Sequence, residues 1–253
     1  DFSSGDDYHA CNSFLLNVTQ APWNLPITPK AEKPSVKKEV YDNLDGTSNE
    51  AGFGSSADHA INEKFQFQLI AKLPASKDNG RAYDYYDNYT VRFTDTLSEG
   101  ITFDNLDTVE ITNGDGGASQ VITDTHYKLD KNGLPSSFKL SIDNVKTCAR
   151  AANLDLNKGA TITVTYTAHL NDNAFVNTAN DATDNKNSVY LTYSNNPKND
   201  TSLGKTPKSE VCVYTYQLNN TKYHDDDNPN NVLEGAGFRL YSNKDCTEEQ
   251  EIK

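Results

Sequence analysis

The chain has 253 residues, no methionine, one tryptophan and four cysteines, and its 36 acidic residues outnumber its 23 lysines and arginines for a formal net charge of −13. Each shortage excludes something. Without a basic excess there is no face or stripe of Lys and Arg to track a nucleic acid. No apolar run approaches the ~18–20 residues that span a bilayer, and no segment reads as a signal peptide. Four cysteines are too sparse for a disulfide-built miniprotein, so cores must come from packing. The missing methionine includes the initiator, so a processed chain or a fragment is expected. Only 35% of residues are hydrophobic, but 10% are aromatic, with 14 Tyr and 10 Phe. That is enough to fill half-buried sheets rather than leave the chain disordered. By length alone, about two domains are expected.

What is present has a period of two. Phe65, Phe67, Leu69, Ala71 and Leu73 alternate with Gln66, Gln68, Ile70 and Lys72. Ile162, Val164, Tyr166, Ala168 and Leu170 alternate with Thr161, Thr163, Thr165, Thr167 and His169, and Val189, Leu191 and Tyr193 repeat the pattern. Such rows predict strands with one buried face. The stretches between them are rich in Asn, Asp and Gly, which form turns. Only Asn144–Leu156 reads as helix. The expected class is all-β, a sandwich.

Composition sets the boundaries. Residues 21–34 hold four prolines and cannot form a central strand, so they read as an extended linker. A second polar segment, Asn195–Lys208, carries Pro197 and Pro207. One whole unit is expected between the linkers, over residues 35–206. Residues 1–20 and 207–253 read as pieces of neighbouring domains.

Three polar residues sit on the wrong face of their strands. In Ser35-Val36-Lys37-Lys38-Glu39-Val40, Lys38 shares parity with the valines. Asp95 shares parity with Val91, Phe93 and Leu97, and Asn187 with Val189, Leu191 and Tyr193. Each has a plain alternative: a lysine that snorkels to the rim, a turn-capping Asp, a strand-end Asn. Taken together, a Lys, an Asp and an Asn aim at one core from an early, a middle and the last strand. Burial lowers a lysine pKa and raises an aspartate pKa, so a neutral amine and a protonated acid can coexist. Lys38 could then attack the side-chain amide of Asn187, with Asp95 polarising that amide and moving the proton as ammonia leaves. The product is an intramolecular isopeptide bond, formed once and without turnover. It closes a loop of about 150 residues, which on chain-entropy reasoning constrains the unfolded state by ~5 kcal/mol.

These residues, with their surroundings, resemble a known family. The matching stretches are Pro34–Val40, Phe93–Phe103, Thr161–Ala168 and Asn187–Pro197. They resemble, in order, the middle domain of backbone (major) pilins from the sortase-assembled pili of Gram-positive bacteria. The resemblance implies a CnaA-like, immunoglobulin-type sandwich with a Lys–Asn isopeptide bond and an acidic helper. Those roles fall on Lys38, Asn187 and Asp95, with Asn195, at the same strand parity, a second candidate for the amide. After residue 207, Val211–Leu218 and Leu233–Tyr241 look like the opening strands of a CnaB-like domain. There Lys222 matches a second isopeptide lysine, and its partner is not in the chain. Trp23-Asn24-Leu25-Pro26-Ile27-Thr28-Pro29-Lys30 resembles the family's pilin motif, which implies that Lys30 is joined by a sortase to the next subunit. The Trp-to-Lys spacing is shorter than in the motif, and Leu-Pro-Ile-Thr replaces its β-rich approach.

The resemblance implies a non-enzymatic, extracellular, cell-wall-attached shaft subunit. Its partners would be neighbouring pilin subunits and a pilin-specific sortase, with no cofactor. The rival reading is an adhesin that binds a host surface ligand, matrix or glycan, for which the tyrosine-rich stretch Ala82–Tyr89 is the place to look. Cys212 and Cys246 fall in the same expected domain, where a disulfide suits an extracellular protein. Cys11 and Cys148 are left over, and spacing does not choose among the three pairings of four cysteines. No Cys-x-x-Cys or His-rich cluster points to a metal. Asp225-Asp226-Asp227 reads as a solvated acidic loop rather than a calcium site.

Overall fold

Period-two patterning becomes two pleated layers in the computed structural model of the chain. It describes residues 32–43, 51–76, 80–117, 119–176, 185–224, 231–241, 244–247 and 251–252. Two units divide after Thr215. In the first, one sheet is built from β1 (Ser35–Asp42), β2 (Gly52–Gly54), β4 (Lys64–Leu73), β6 (Ile101–Asn113), β7 (Gln120–Val121) and β10 (Ala160–Leu170), in the order β2-β1-β4-β10-β6-β7. The other takes β3 (Ser56–Asp58), β5 (Val91–Leu97), β8 (Lys128–Asp130), β9 (Ser137–Ile142), β11 (Asn185–Ser194) and β13 (Ser209–Tyr214), in the order β3-β13-β11-β5-β9-β8. A short strand, β12 (Leu203–Lys205), also pairs with β11. All these pairings are antiparallel except β3 with β13.

The buried rows are those the alternation predicts. Phe65, Phe67, Leu69, Ala71 and Leu73 of β4 and Ile162, Val164, Tyr166, Ala168 and Leu170 of β10 all face the core. They meet Val91, Phe93 and Leu97 of β5, Phe138, Leu140 and Ile142 of β9, and Val189 and Leu191 of β11. Two layers closing over one apolar interior make a β-sandwich. The helix is shorter than the sequence suggests. It is α1 (Val145–Ala151), started by the Asn144 side chain accepting from the Lys146 N–H at 3.1 Å. Val145, Cys148 and Ala149 are its buried residues.

Pairing between β6 and β10 slips on either side of Tyr166, between Thr165 and Tyr166 and again between Thr167 and Ala168. Bulges bend a strand and re-aim side chains. The residues left over on β6 are Asp107 and Asp104. Their carboxylates are held by Gln66 (2.9 Å) and Thr167 (2.8 Å), and by His169 (2.9 Å).

Two expectations about the C-terminal third need correction. Asn195–Lys208 is not a linker, because Leu203–Lys205 turns back as β12 along the end of β11 and Thr206 is buried. Ser209–Tyr214 then completes the central sheet beside β11, so the sandwich extends to about residue 215 rather than ending at 206. In the second unit, the described strands are β14 (Leu240–Tyr241) and β15 (Glu251–Ile252), which pair with each other. Val211–Leu218 is strand only as far as Tyr214, and Tyr216 and Leu218 are exposed. Residues 1–31, which include Cys11, the segment Trp23–Lys30 and Lys30 itself, lie outside the described residues, as do Asp225–Asp227.

Candidate cross-link site

The sandwich brings the three misplaced polar residues to one point in its interior. Lys38 on β1 belongs to the first sheet, and Asp95 on β5 and Asn187 on β11 belong to the second. β5 and β11 are direct neighbours, with Asp95 opposite Val189 and Asn187 opposite Leu97, so the acid and the amide are diagonal neighbours on one face. Lys38 reaches them from across the core. Its side chain and that of Asp95 are fully buried, and Asn187 is inaccessible to solvent.

The Lys38 Nζ donates to Asp95 Oδ2 and, at 3.0 Å, to the hydroxyl of Tyr166. That hydroxyl donates to Asp95 Oδ1 at 3.3 Å and accepts from Asn187 Nδ2 at 2.5 Å. The amine and the amide nitrogen are therefore within two hydrogen-bond lengths of each other. Asn187 Oδ1 is buried and has no hydrogen-bond partner among the described residues. An orphaned carbonyl in the core costs about 1–3 kcal/mol. It is also where negative charge would collect if the amide carbon were attacked.

Aromatic rings wall the cluster. The faces of Phe67 and Tyr166 lie 4.9 and 5.1 Å from Lys38 Nζ. Phe67, Phe103 and Phe138 pack around the Tyr166 ring at centroid distances of 5.2, 5.4 and 5.1 Å. In so apolar a cage the charged forms are penalised. Burial lowers the Lys38 pKa from 10.5 to about 8, with Asp95 pulling only partly the other way. Burial raises the Asp95 pKa, against the opposing effect of Lys38. Both directions favour moving a proton from ammonium to carboxylate, leaving a free amine beside a carboxylic acid.

Sequence parity named Lys38, Asp95 and Asn187 but not Tyr166, whose place in a regular apolar row made it look like ordinary core. The only hint was that a buried tyrosine needs a partner for its hydroxyl. The second amide candidate, Asn195, is not in the cluster; it follows the end of β11, with its Oδ1 accepting from Ser202 at 2.8 Å. Asn185, also missed, is buried two residues before Asn187 and fully engaged with the Phe175 N–H and carbonyl and the Val213 carbonyl. Lys222 is exposed, and its carbonyl accepts from the Leu233 N–H at 2.8 Å. The two cysteines expected to pair, Cys212 and Cys246, fall in different units. Cys212 belongs to β13 of the central sheet, whereas Cys246, in the second unit, is a free thiol donating to the Lys244 carbonyl at 3.6 Å.

The tyrosine-rich stretch does not present an aromatic surface. Tyr83 and Tyr89 are buried against each other and Tyr86, leaving Tyr85 exposed at 66%. A surface cavity of about 370 Å³ beside it is lined by Arg81, Asp84, Lys146, Arg150 and Asp155, among others, and by none of the cross-link residues. Among the described residues, no group of three or more His, Cys, Asp or Glu side chains could hold a metal ion, and no helix is long and apolar enough to cross a membrane.

A buried Lys–Asp–Asn cluster thus spans the two sheets of this β-sandwich, and comparison with known proteins places the chain more closely. The family described as Gram-positive pilin backbone subunit 2, Cna-B-like domain, matches residues 65–197, just over half of the chain. The chain belongs to this Gram-positive pilin backbone family. The match takes in Asp95, Tyr166 and Asn187 and begins after Lys38. Its description classes the domain as Cna-B-like, where the sequence resemblance suggested CnaA-like for the central unit; the β-sandwich is common to both.

Among solved structures, the 35 kDa C-terminal fragment of the major pilin GBS80 of Streptococcus agalactiae is 17% identical, with a TM-score of 0.53 over 73% of this chain and 57% of that one. The major pilin SpaD of Corynebacterium diphtheriae is 17% identical over 83% of this chain and 42% of its own, with a TM-score of 0.49. The pilus backbone RrgB of Streptococcus pneumoniae is 23% identical over 66% and 54%, with a TM-score of 0.41. The likeness to GBS80 supports a shared fold. The chain spans between about two fifths and three fifths of the length of these three structures. No curated protein sequence matches.

Proposed function

We propose that the chain is part of a structural shaft subunit of a covalently assembled Gram-positive pilus, and that its central sandwich closes an isopeptide bond between Lys38 and Asn187. The observation that carries the second half is the shared contact of a buried amine, a carboxylate and an amide on one hydroxyl, inside an aromatic cage. Surface salt bridges contribute little to stability, and a buried pair is often no better than a hydrophobic replacement. A function that consumes the pair gives a reason to place it there.

The chemistry follows from the positions. Asp95 takes a proton from the Lys38 ammonium, which burial already favours, and the neutral amine attacks Cγ of Asn187. As a carboxylic acid, Asp95 can then donate a hydrogen bond to Oδ1, the oxygen with no partner, as charge develops there. The C–Nδ2 bond breaks, ammonia leaves, and a secondary amide joins β1 to β11 across the two sheets. The chain carries this out once, so it is a self-modifying scaffold rather than an enzyme. Tension along the shaft would meet a covalent tie instead of separating the layers.

Joining of one subunit to the next is assigned to Lys30 by the resemblance of Trp23–Lys30 to the pilin motif, with a pilin-specific sortase as the enzyme and the cell wall as the destination. Exposing the chain to such a sortase and a subunit bearing its sorting signal tests this reading. A ladder of covalent oligomers on a denaturing gel, lost in Lys30→Arg, is expected. A ladder unaffected by Lys30→Arg would move the linkage to another lysine.

A further inference from the structure

We infer that Tyr166 is a catalytic residue of this cross-linking reaction, its hydroxyl carrying the proton that passes from the Lys38 amine to the departing nitrogen of Asn187. The inference rests on the isopeptide reading above and adds a step that Lys38, Asp95 and Asn187 do not complete among themselves. Forming the bond requires Nζ to lose a second proton and Nδ2 to gain one before it can leave as ammonia. Asp95 touches the amine, but Asn187 makes its one side-chain hydrogen bond among the described residues to Tyr166. The hydroxyl is thus the group in contact with both the atom that must give up the proton, at 3.0 Å, and the atom that must receive it, at 2.5 Å.

The resting hydrogen-bond pattern has the right polarity for a relay. The hydroxyl accepts from Nζ and Nδ2 and spends its single hydrogen on Asp95 Oδ1. An amide nitrogen is not basic. Attack by Nζ makes Cγ tetrahedral, and Nδ2 then becomes an amine with a lone pair. At that point the hydroxyl hydrogen can turn from Asp95 to Nδ2 while the oxygen takes the proton that Nζ sheds. The tyrosine ends as it began, the C–Nδ2 bond breaks, and the products are one secondary amide and one ammonia, with no oxidant or co-reactant. Burial and the Asp95 carboxylate raise the Tyr166 pKa well above its ordinary value, so the relay passes a proton through a neutral hydroxyl instead of a phenolate. The ring is held in place by Phe67, Phe103 and Phe138, opposite the stretch of β6 where the pairing slips.

The test is the rate of ammonia loss, followed by intact mass after cell-free synthesis of the full chain. Tyr166→Phe removes only the hydroxyl. It is expected to fold, with an unchanged far-UV spectrum, and to lose ammonia on the order of 10²-fold more slowly than wild type, the lower end of what a placed acid–base group supplies. A Tyr166→Phe chain that cross-links as fast as wild type overturns the role. A wild-type chain that never loses ammonia overturns the isopeptide reading itself, and this role with it. If Tyr166→Phe fails to fold, a ring-fluorinated tyrosine placed at 166 alone keeps the shape and the hydroxyl but makes the latter more acidic. It should change both the rate and its pH profile; a profile identical to wild type would leave Tyr166 only a structural part.

Discussion

Asn187→Ala isolates the contribution of the cross-link. It removes the acyl donor but leaves Lys38 and Asp95 paired, so no charge is stranded in the core. Lys38 and Asn187 enclose a loop of about 150 residues, and freeing a loop of that length in the unfolded chain costs ~5 kcal/mol of stability. The other change is small. In the cross-linked protein Nδ2 has left as ammonia, so apart from the tie the substitution removes a buried carbonyl whose oxygen has no partner among the described residues, an effect of about 1 kcal/mol. In a unit of this size 1 kcal/mol moves the midpoint by roughly 2–4 °C, so the variant should melt about 10–20 °C below wild type. Scanning calorimetry reads this directly, with Asn195→Ala, outside the cluster, as a control expected to stay within about 2 °C. An Asn187→Ala protein that melts with the wild type would refute the argument that this bond staples the sandwich.

Two further predictions probe the same interior. In Asn187→Ala the amine stays free, with its folded pKa near 8 and its unfolded value near 10.5. Between those values the unfolded chain binds more protons at this site, so stability should rise with pH, by about 2 kcal/mol from pH ~7.5 to ~9.5. Urea titrations at the two pH values measure the rise, and Lys38→Met in the same background should abolish it; a rise that persists belongs to other groups. Separately, a Cβ on Gly100 would sit 2.5 Å from both the Ala174 Cα and the Asn185 Oδ1, where backbone cannot yield. Gly100→Ala should lower the urea midpoint by an amount corresponding to about 1–3 kcal/mol, while Gly52→Ala, with nothing within 4 Å of the new methyl, serves as the control. Equal midpoints for the two would show that the 171–176 loop gives way.

Strand parity made the centre of the site legible. Along β1, β5 and β11 the pairing runs without a slip, so a polar residue in the apolar row has one place to point, and Lys38, Asp95 and Asn187 are legible together. Parity fails where pairing slips. Along β6, the bulges at Asp104 and Asp107 shift the inward row from Phe103 to Val109 through a half-buried Leu106, which no two-residue period follows. Tyr166 was invisible for the opposite reason: it obeys the pattern, and only its contacts reveal that the hydroxyl is in use. The boundary near 207 is not legible in the sequence because prolines and asparagines between 195 and 208 mark a tight return as readily as a linker. The choice was made by Thr206, buried with its hydroxyl accepting from the Leu191 N–H at 3.0 Å. The tyrosines of 82–89 looked like a recognition surface because composition does not say which ring faces inward.

The most direct test of the account is the intact mass of the purified chain under reducing conditions, followed by sequencing of the branched peptide released by proteolysis. A chain lighter than its sequence by one ammonia, with Lys38 joined to Asn187 and the full mass restored in Lys38→Ala, is the predicted result. A folded chain at its full sequence mass, or a cross-link between any other pair, would contradict it.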